Sequence, residues 1–257
     1  MTANCFNFEK SYLQLPSEFY TLASPIPVSS PEMVIMNHTL AVSLGVDLTA
    51  LNHEQQAQIL SGNQIIHDTT PFCQAYAGHQ YARFTLLGDG RAHVLGEHVT
   101  PDGSRVDIQL KGSGQTPYSR NGDGRAALGP MLREYIISEA MHSLGIPTTR
   151  SLAVLSTGDR VMRETAQPGG ILARVARSHI RVGTFEYAAL QRDSKHSQSL
   201  LEYTVNRHFP ELLNMPNLAL AFLGRVVETQ AKLITHWMRV GFIHGVMNTD
   251  NVSITGE

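Results

Sequence analysis

The chain has 257 residues, of which 42% are hydrophobic and 16% charged, a composition typical of a globular protein with a sizeable core. Its 20 Lys and Arg residues against 22 Asp and Glu residues give a formal net charge of -2, so its overall charge offers no case for binding nucleic acid or an anionic membrane. No stretch approaches the roughly 18 apolar residues of a membrane span, so we expect no membrane partner.

The first segment, residues 1–75, shows only short helical patterns such as Leu48–Leu60. Prolines interrupt it at Pro16, Pro25, Pro27 and Pro31. We predict an irregular N-terminal extension that packs on a main domain. Its start lacks the basic segment and apolar run of a signal peptide, so we expect a cytoplasmic protein. Cys5 and Cys73 lack CxxC spacing, which favours reduced thiols, although a disulfide between them stays open.

From Tyr76 the pattern changes to short strands separated by turn signals. The predicted strands are Phe84–Leu87, His93–Gly96 and Val106–Leu110, with turns at 88–90 and 101–103. Asp-Gly and Pro-Asp-Gly favour turns because glycine accepts a positive φ angle freely. The last strand, VDIQL, alternates apolar and polar residues as a half-buried strand does. We therefore predict an antiparallel meander over 84–110.

A glycine-rich loop, KGSGQTPYSRNGDGRAALGP, precedes a predicted helix over Met131–Leu144. Two more strands are predicted at Ser151–Leu155 and Val161–Glu164, on either side of a turn at 157–159. Beyond Gly169-Gly170 the pattern becomes mostly helical.

The clearest helix runs from about Asn217 to Val240. Its predicted face consists of Leu223, Val226, Val227, Gln230, Leu233, Ile234 and Trp237. A sheet-rich half with one embedded helix, followed by a helical half, predicts an α+β fold of two lobes. We place a small lobe at 76–170 and the start of a helical large lobe at 171–257.

The first half contains candidate phosphate ligands in an order found in the small lobe of protein kinases. A nucleotide site needs backbone amides or cations around phosphates, and oxygens on Mg²⁺. In chain order the candidates are Gly88, Gly90 and Arg91 at a hairpin tip, Lys111 at a strand end, and Glu134 on the next helix. In kinases the lysine holds phosphate and the glutamate orients the lysine. A plain hairpin turn explains GDGR equally well, a solvated strand end is the simpler explanation of the lysine alone, and no GxxxxGK[ST] sequence is present.

The loop HGVMNTDN, which begins at His244, follows the long helix and matches the spacing of the kinase catalytic loop HRDxxxxN. Asn251 falls on the metal-binding Asn of that pattern. Val246 occupies the position of the catalytic Asp and cannot accept a hydroxyl proton, which leaves Asp250 as the carboxylate of the loop. Residues 252–254 would form the short strand that follows. An ordinary Asp-Asn turn and a structural histidine stay open as alternatives.

Several long runs resemble the selenoprotein O family of kinase-like proteins, which are also described as pseudokinases. The runs are YAGHQ (76–80), LGDGRA (87–92), QLKGSGQTPYSRNGDGRAALGPMLREYIISEAMHSLGIPTTRSLAV (109–154), RVARSHIRVGTFEY (174–187) and HGVMNTDN. The resemblance extends over essentially the whole chain. It implies a protein-kinase-like fold that binds ATP in a flipped orientation and transfers AMP to Ser, Thr or Tyr hydroxyls of proteins. For bacterial members it also implies UMP transfer from UTP, with Mn²⁺ favoured.

The resemblance assigns roles to particular residues. It implies nucleotide contacts from Gly88, Gly90, Arg91, Lys111, Asp123, Gly124, Arg174 and Arg181. Glu134 would orient the lysine, Asp250 would act as general base, and Asn251 would hold Mg²⁺ or Mn²⁺. Adenylyl transfer suits such a set, because cations must gather on the leaving pyrophosphate and a carboxylate can deprotonate the acceptor. For Arg174 and Arg181, the alternative is that they belong to a solvated basic face.

The chain departs from the family pattern at two places. The family has YAGHQFG where this chain has YAGHQYA, so Ala82 replaces a glycine, and the loop would sit differently if that glycine needs a special backbone angle. The family's second metal ligand, an Asp in a DYG motif, would follow Glu257. We therefore expect an N-terminal portion that stops just after the catalytic loop. Its helix over 217–240 should expose an apolar face, and the chain should self-associate.

Other function classes are open at this stage. A catalytically dead nucleotide-binding module is the main alternative to an adenylyltransferase, because a missing metal carboxylate would cost most of the rate. A small-molecule kinase, whose loop often has the sequence HGDxxxxN, is disfavoured by Val246. A metal hydrolase is disfavoured because the histidines show no HExxH or comparable spacing.

Overall fold

The structure, a computed structural model, describes residues 5–66, 69–191 and 193–257. Over these residues the chain forms nine strands and six α-helices, which confirms the α+β class. The strands are β1 (Phe8–Glu9), β2 (Tyr20–Leu22), β3 (Glu32–Met36), β4 (Phe72–Gln80), β5 (Arg83–Gly88), β6 (Ala92–Val99), β7 (Arg105–Lys111), β8 (Arg150–Met162) and β9 (Ala166–Ala176). The helices are α1 (His38–Leu44), α2 (His53–Ser61), α3 (Leu128–Ser143), α4 (Val182–Leu190), α5 (Lys195–His208) and α6 (Leu218–Arg239).

The strands join into one antiparallel sheet in the order β2-β4-β6-β7-β9-β8-β3. Strand β1 pairs with β6, and β5 pairs with β4. In the centre of the sheet Lys111 lies opposite Leu172, and Gln109 lies opposite Arg174. Residues that face each other across an antiparallel pair share a face, so the cations of β7 and β9 lie on the same side of the sheet.

The two faces of the sheet are buried against different partners. Ile108 and Leu110 of β7 pack with α1 and α2 in one core. Side chains alternate along a strand, so Asp107 and Gln109 face the other side. VDIQL was predicted to be half-buried, and this is wrong, because these two polar side chains are buried as well.

The opposite face is covered by the remaining helices. Helix α3 packs on β8 and β9 through Met131, Val154 and Leu172. Helices α4, α5 and α6 pack with the N-terminal segment around Phe72 and Val94. The polar centre of the sheet therefore lies between two helical groups.

A buried charge network joins the N-terminal segment to this face. Arg207 of α5 donates to Asp107 at 2.6 Å and lies 3.5 Å from Glu97, which also accepts the Tyr12 amide at 2.6 Å. Although burial raises the pKa of Asp107, Arg207 and His179 together hold it well below its usual range. Ionic pairing of this kind compensates for taking the charges out of water.

The predicted meander is confirmed for β6 and β7, which pair antiparallel, and is wrong for β5. Strand β5 pairs along its length with β4 rather than with β6. Strand β4 was not predicted, because FCQAYAGHQ lacks alternation. The segment before it was predicted to be irregular, yet it supplies β1, β2 and β3 to the sheet.

The region after the predicted turn at 157–159 also differs. Strand β8 runs without interruption from Arg150 to Met162 and absorbs the turn as a register shift between Ser156 and Arg160. Strand β9 was predicted as part of a helical region, because the run ILARVA suits a buried strand and a helix equally. Beyond the catalytic-type loop, the predicted short strand is an isolated bridge between Arg181 and Ser253.

Helix α6 agrees closely with its prediction and exposes apolar residues. It begins after Asn217, whose side chain accepts the Leu220 amide. Val226 and Leu233 are buried, whereas Leu220, Leu223 and Val227 are exposed by 64%, 58% and 60%. The expected exposed apolar face is therefore present. Within the described ranges, the helices include none with the length and apolar character needed to cross a membrane.

We predict that the chain self-associates through this face of α6, because burying exposed leucines against a second copy removes apolar surface from water. The double substitution Leu223→Lys and Val227→Glu should shift the sedimentation profile toward monomer. Val42→Lys, on another exposed surface, is the control and should leave the profile unchanged. A monomeric profile of the unmodified chain would contradict the prediction.

The turn between β4 and β5 has an unfavourable backbone conformation. Tyr81 and Ala82 have φ angles of 51° and 61°, in the left-handed region that favours glycine. Ala82, which stands where the family has a glycine, therefore does take a special backbone angle.

We predict that Ala82→Gly raises the free energy of unfolding by about 1 kcal/mol, because glycine removes the left-handed penalty. Urea unfolding would measure it. Ala140→Gly, at an exposed site inside α3, should instead lower stability by about 1 kcal/mol. Equal losses from both substitutions would show that the turn stores no such strain.

Candidate active site

A cavity of about 710 Å³ lies between the sheet, α3, α6 and the loop HGVMNTDN. Every residue proposed for the site from sequence lines it: Gly88, Gly90, Arg91, Lys111, Asp123, Gly124, Glu134, Arg174, Arg181, Asp250 and Asn251. They come from strands β5, β7 and β9, from the middle of α3, from the start of α4, and from turns and loops. The fold therefore brings the whole predicted set together, while the role of each residue toward a nucleotide stays a prediction.

Glu134 bridges two cations on the cavity floor. Its Oε2 accepts from Lys111 Nζ at 2.5 Å, and its Oε1 lies 3.4 Å from Arg174 Nε. Strands β7 and β9 present the cations on one face, and α3 brings the carboxylate over them. The arrangement holds two positive charges close together with one negative charge, so the cluster favours an anionic ligand.

The protonation of this cluster reflects its burial and its mixed charges. Burial and, after it, the Arg174 charge lower the pKa of Lys111 to about 8, with Glu134 offsetting part of their effect. Although burial raises the pKa of Glu134, Arg174 and Lys111 outweigh that effect and lower it. A lysine with this pKa is mostly protonated at neutral pH.

Gly88 lies against the ring of Tyr118, and Gly90 lies against the Tyr118 backbone. A Cβ atom on Gly88 would overlap the Tyr118 ring, and one on Gly90 would lie 2.9 Å from the Tyr118 carbonyl oxygen. The hydroxyl of Tyr118 is 2.9 Å from that of Thr21. The glycines thus permit a close approach of two loops, and Arg91 follows them at the exposed rim of the cavity.

Asp123 and Gly124 form the outer wall. Asp123 accepts two hydrogen bonds from Arg163, at 2.8 and 3.2 Å, and a third from the Arg125 amide at 2.9 Å. The bonds from Arg163 are the main reason that the pKa of this carboxyl is lowered. Gly124 is buried behind it, with its carbonyl bonded to Gly114.

Arg181 is held by two partners at the start of α4. Its guanidinium lies 3.4 Å from Asp89 Oδ1 and 4.1 Å above the Tyr76 ring. Asp89 is itself buried, and its Oδ2 accepts the Gln74 amide at 3.1 Å. Although burial lowers the pKa of Arg181, Tyr76 and Asp89 raise it, so the arginine stays charged. The cation is fixed in orientation toward the cavity.

The loop HGVMNTDN is anchored at both ends. The His244 ring stacks on Trp237 of α6, with centroids 5.5 Å apart, and Val246 is half exposed. The Asn248 side chain donates to the His79 carbonyl at 2.7 Å. Thr249–Asn251 forms a single 3-10 turn that places Asp250 inside the cavity.

Asp250 has one satisfied and one free carboxylate oxygen. The residue is 8% exposed, and its Oδ2 accepts from Gln80 Nε2 at 3.2 Å. Within the described part of the chain, Oδ1 has no hydrogen-bond partner. A buried, unsatisfied carboxylate oxygen is costly, and such a group calls for a functional explanation.

The neighbourhood of Asp250 fits a divalent cation only in part. The Asn251 amide oxygen and a carboxylate are the oxygen ligands that Mg²⁺ and Mn²⁺ prefer. The described residues contain no group of three or more His, Cys, Asp or Glu side chains placed to hold a metal. They therefore supply suitable donors for an ion but not a complete coordination set.

Several cavity residues were missed from sequence, among them three that contact predicted cations or Asp250. Tyr76, Gln80 and Asp89 each contact a predicted site residue. Asp89 lies between the two predicted glycines, and Tyr76 and Gln80 belong to the run YAGHQ. Recognising that run as a strand would have placed its alternate residues on one face.

Comparisons with known proteins show the family to which the chain belongs. A family model described as "Protein adenylyltransferase SelO" matches residues 3–257. A "Protein nucleotidyltransferase YdiU" of Syntrophotalea carbinolica is 60% identical over 252 residues, which cover 98% of this chain and 51% of that protein. Proteins of the same name from Nitrosococcus oceani and Anoxybacillus flavithermus are 59% and 58% identical, over 97% and 100% of this chain and 51% and 53% of theirs.

These relatives share the name protein nucleotidyltransferase. The chain belongs to the SelO family, which confirms the resemblance drawn from its motifs. It spans about half the length of the curated relatives it matches.

We predict that Lys111 titrates near pH 8 rather than near 10.5. Because the folded chain then binds fewer protons than the unfolded chain between these values, this lysine makes the free energy of unfolding rise with pH across that window. Carbon-13 NMR of labelled lysines would measure the midpoint, with Lys111→Arg assigning the signal.

In the same experiment, Glu134→Gln should move the midpoint lower, because it removes the carboxylate that favours the ammonium. Glu228→Gln, beside the exposed Lys232, is the matched control and should not move it. A midpoint near 10.5, or no response to Glu134→Gln, would contradict the described cluster.

Proposed function

We propose that the chain forms the nucleotide-binding part of a protein adenylyltransferase, which transfers AMP from ATP to Ser, Thr or Tyr hydroxyls of other proteins. Transfer of UMP from UTP is a second activity that we propose for the same site. The observation that supports this best is Asp250, which lies in one cavity with Lys111, Arg174 and Arg181. It is a buried carboxylate, and one of its oxygens has no hydrogen-bond partner among the described residues. The names of the family and of the relatives agree with nucleotidyl transfer.

We also propose a kinase-like, two-lobed arrangement for this chain. Residues 76–170 would form the small lobe, 171–257 the start of a helical large lobe, and 1–75 an extension on the core. The ion pair between a lysine on β7 and a glutamate on α3 supports this, since that pairing is typical of a kinase small lobe.

The proposed reaction is a substitution at the α-phosphorus. The acceptor oxygen bonds to that phosphorus while the bond to the bridging oxygen of the β-phosphate breaks, and pyrophosphate leaves with the electron pair. Asp250 takes the hydroxyl proton through its free oxygen. Lys111, Arg174 and Arg181 stabilise the charge that builds up on the phosphate oxygens.

The nucleotide is recognised by the walls of the cavity. The glycine turn at 88–90 and Arg91 contact it from one side, and Asp123 and Gly124 from the other. Glu134 keeps two cations in place for this contact. Arg181 needs no rearrangement to bind phosphate, because Asp89 and Tyr76 already fix it.

A divalent cation completes the proposed chemistry. Asn251 would hold Mg²⁺ or Mn²⁺ through its amide oxygen. When bound, the ion neutralises phosphate charge as it does in other phosphoryl and nucleotidyl transfers. The alternative of a catalytically dead nucleotide-binding module has no observation in its favour and is an outcome of the test below.

We predict that label from α-³²P ATP, and not from γ-³²P ATP, enters protein in the presence of Mn²⁺ or Mg²⁺. This chain and one of the longer relatives should be tested side by side, since the chain spans half of that protein. Label transferred from the γ-position would overturn adenylyl transfer. Label from neither position, with ATP binding retained, would identify a dead module.

Asp250→Ala should abolish α-label transfer and leave the Kd for ATP within about threefold, because a general base acts on the acceptor rather than on the nucleotide. Isothermal titration and the labelling assay measure the two effects separately. Asp47→Ala removes an exposed carboxylate outside the cavity and should change neither value. Equal transfer by both variants would remove Asp250 from the mechanism.

A further inference from the structure

Three alternate residues near the end of strand β4 contact candidate site residues. Tyr76, Gly78 and Gln80 lie on one face of the strand because side chains alternate. Tyr76 lies under the guanidinium of Arg181, and Gly78 and Gln80 both meet Asp250. The run YAGHQ therefore lies against Arg181 and Asp250, and contacts with a nucleotide alone do not explain this position.

Gly78 leaves the space that Asp250 occupies. A Cβ atom on Gly78 would overlap Asp250 Oδ1 and lie 2.7 Å from the Asp250 Cβ. The side chain of Asp250 thus packs directly on the strand backbone. Any larger residue at 78 would force the carboxylate away from its position.

Gln80 fixes the direction of the carboxylate. A carboxylate only accepts hydrogen bonds, so the amide nitrogen of Gln80 is the donor to Oδ2, at 3.2 Å. With Oδ2 engaged, the free Oδ1 is the oxygen left to accept a proton. A single donor thereby distinguishes two otherwise equivalent oxygens.

The backbone of the same strand holds the rest of the loop. The His79 carbonyl accepts from the Asn248 side chain at 2.7 Å. The Asn251 amide bonds to the Asn248 carbonyl at 2.8 Å, which closes the turn that carries Asp250. The strand and the loop therefore meet at three consecutive residues of β4.

We infer that Gln80 is a positioning residue for Asp250, with Gly78 providing the clearance, so that β4 sets the geometry of the general base. The inference rests on the proposed function for its consequence in catalysis, but the contact itself can be tested without turnover. Gln80 acts through Asp250 and not on the nucleotide.

Hydrogen exchange of the amides of Asp250 and Asn251 tests the contact. Gln80→Leu should make them exchange about tenfold faster, since a hydrogen bond to a charged group is lost. Gly78→Ala should do the same by displacing the carboxylate. Phe84→Ala, which removes the ring that packs on His79 in the same hairpin, is the control for general loosening and should speed exchange in β5 only.

Gln80→Glu tests the donor with a side chain of nearly the same size. A carboxylate at this position cannot donate to Asp250 Oδ2 and repels it, so the loop should exchange at least as fast as in Gln80→Leu. Loop exchange as slow as in the unmodified chain would contradict the inference.

The outcomes separate this inference from the proposed function. Unchanged loop exchange in Gln80→Leu and Gly78→Ala, with both variants folded, would overturn it whatever the labelling shows. Where transfer is measured, Gln80→Leu should lower kcat about tenfold and keep KM for ATP within about twofold. Loop exchange that responds as expected in a chain without α-label transfer would leave the positioning intact and reject the adenylyltransferase.

Discussion

The bridge from Glu134 to Lys111 and Arg174 is the interaction on which the cavity depends. It joins α3 to the two central strands of the sheet, at the level where side chains of β7 and β9 point away from the hydrophobic core. Two cations this close would repel each other without the carboxylate, and burial would favour loss of the lysine proton. The glutamate thus keeps a pair of positive charges available on a buried surface.

Other arginines in and near the cavity are also paired with carboxylates. Arg181 is held by Asp89, and Arg163 is held by Asp123. Further along the sheet, Arg207 satisfies Asp107 and joins α5 to β7. Asp250 differs because, among the described residues, it is the buried carboxylate with an oxygen that lacks a hydrogen-bond partner. An enzyme can tolerate that cost where the free oxygen takes part in a reaction.

Local patterns in the sequence were enough to predict parts of this structure. The helix α6, the strand that ends at Lys111 and the helix that carries Glu134 were each predicted from periodicity and turn signals. The gathering of distant residues into one site came from the family resemblance, because no local pattern relates Gly88 to Asp250. The α+β class followed from the order of strands and helices.

The missed features depend on contacts that are distant in sequence. Strand β9 is a strand because it pairs with β7 and β8, and its apolar run alone does not distinguish strand from helix. The hairpin of β4 and β5 was missed because its turn uses Tyr81 and Ala82 at positive φ, where Asn-Gly would have been the usual signal. That hairpin brings Gln80 to the catalytic-type loop, so the error in pairing also hid a site residue.

A crystal structure of this chain with a non-hydrolysable ATP analogue and Mn²⁺ is the most direct test of the proposed adenylyl transfer. We predict that the analogue lies in the cavity with its α-phosphorus nearer to Asp250 than its γ-phosphorus, and with Lys111 and Arg174 on phosphate oxygens. An analogue bound with its γ-phosphorus nearest to Asp250 would point to phosphoryl transfer and contradict the account.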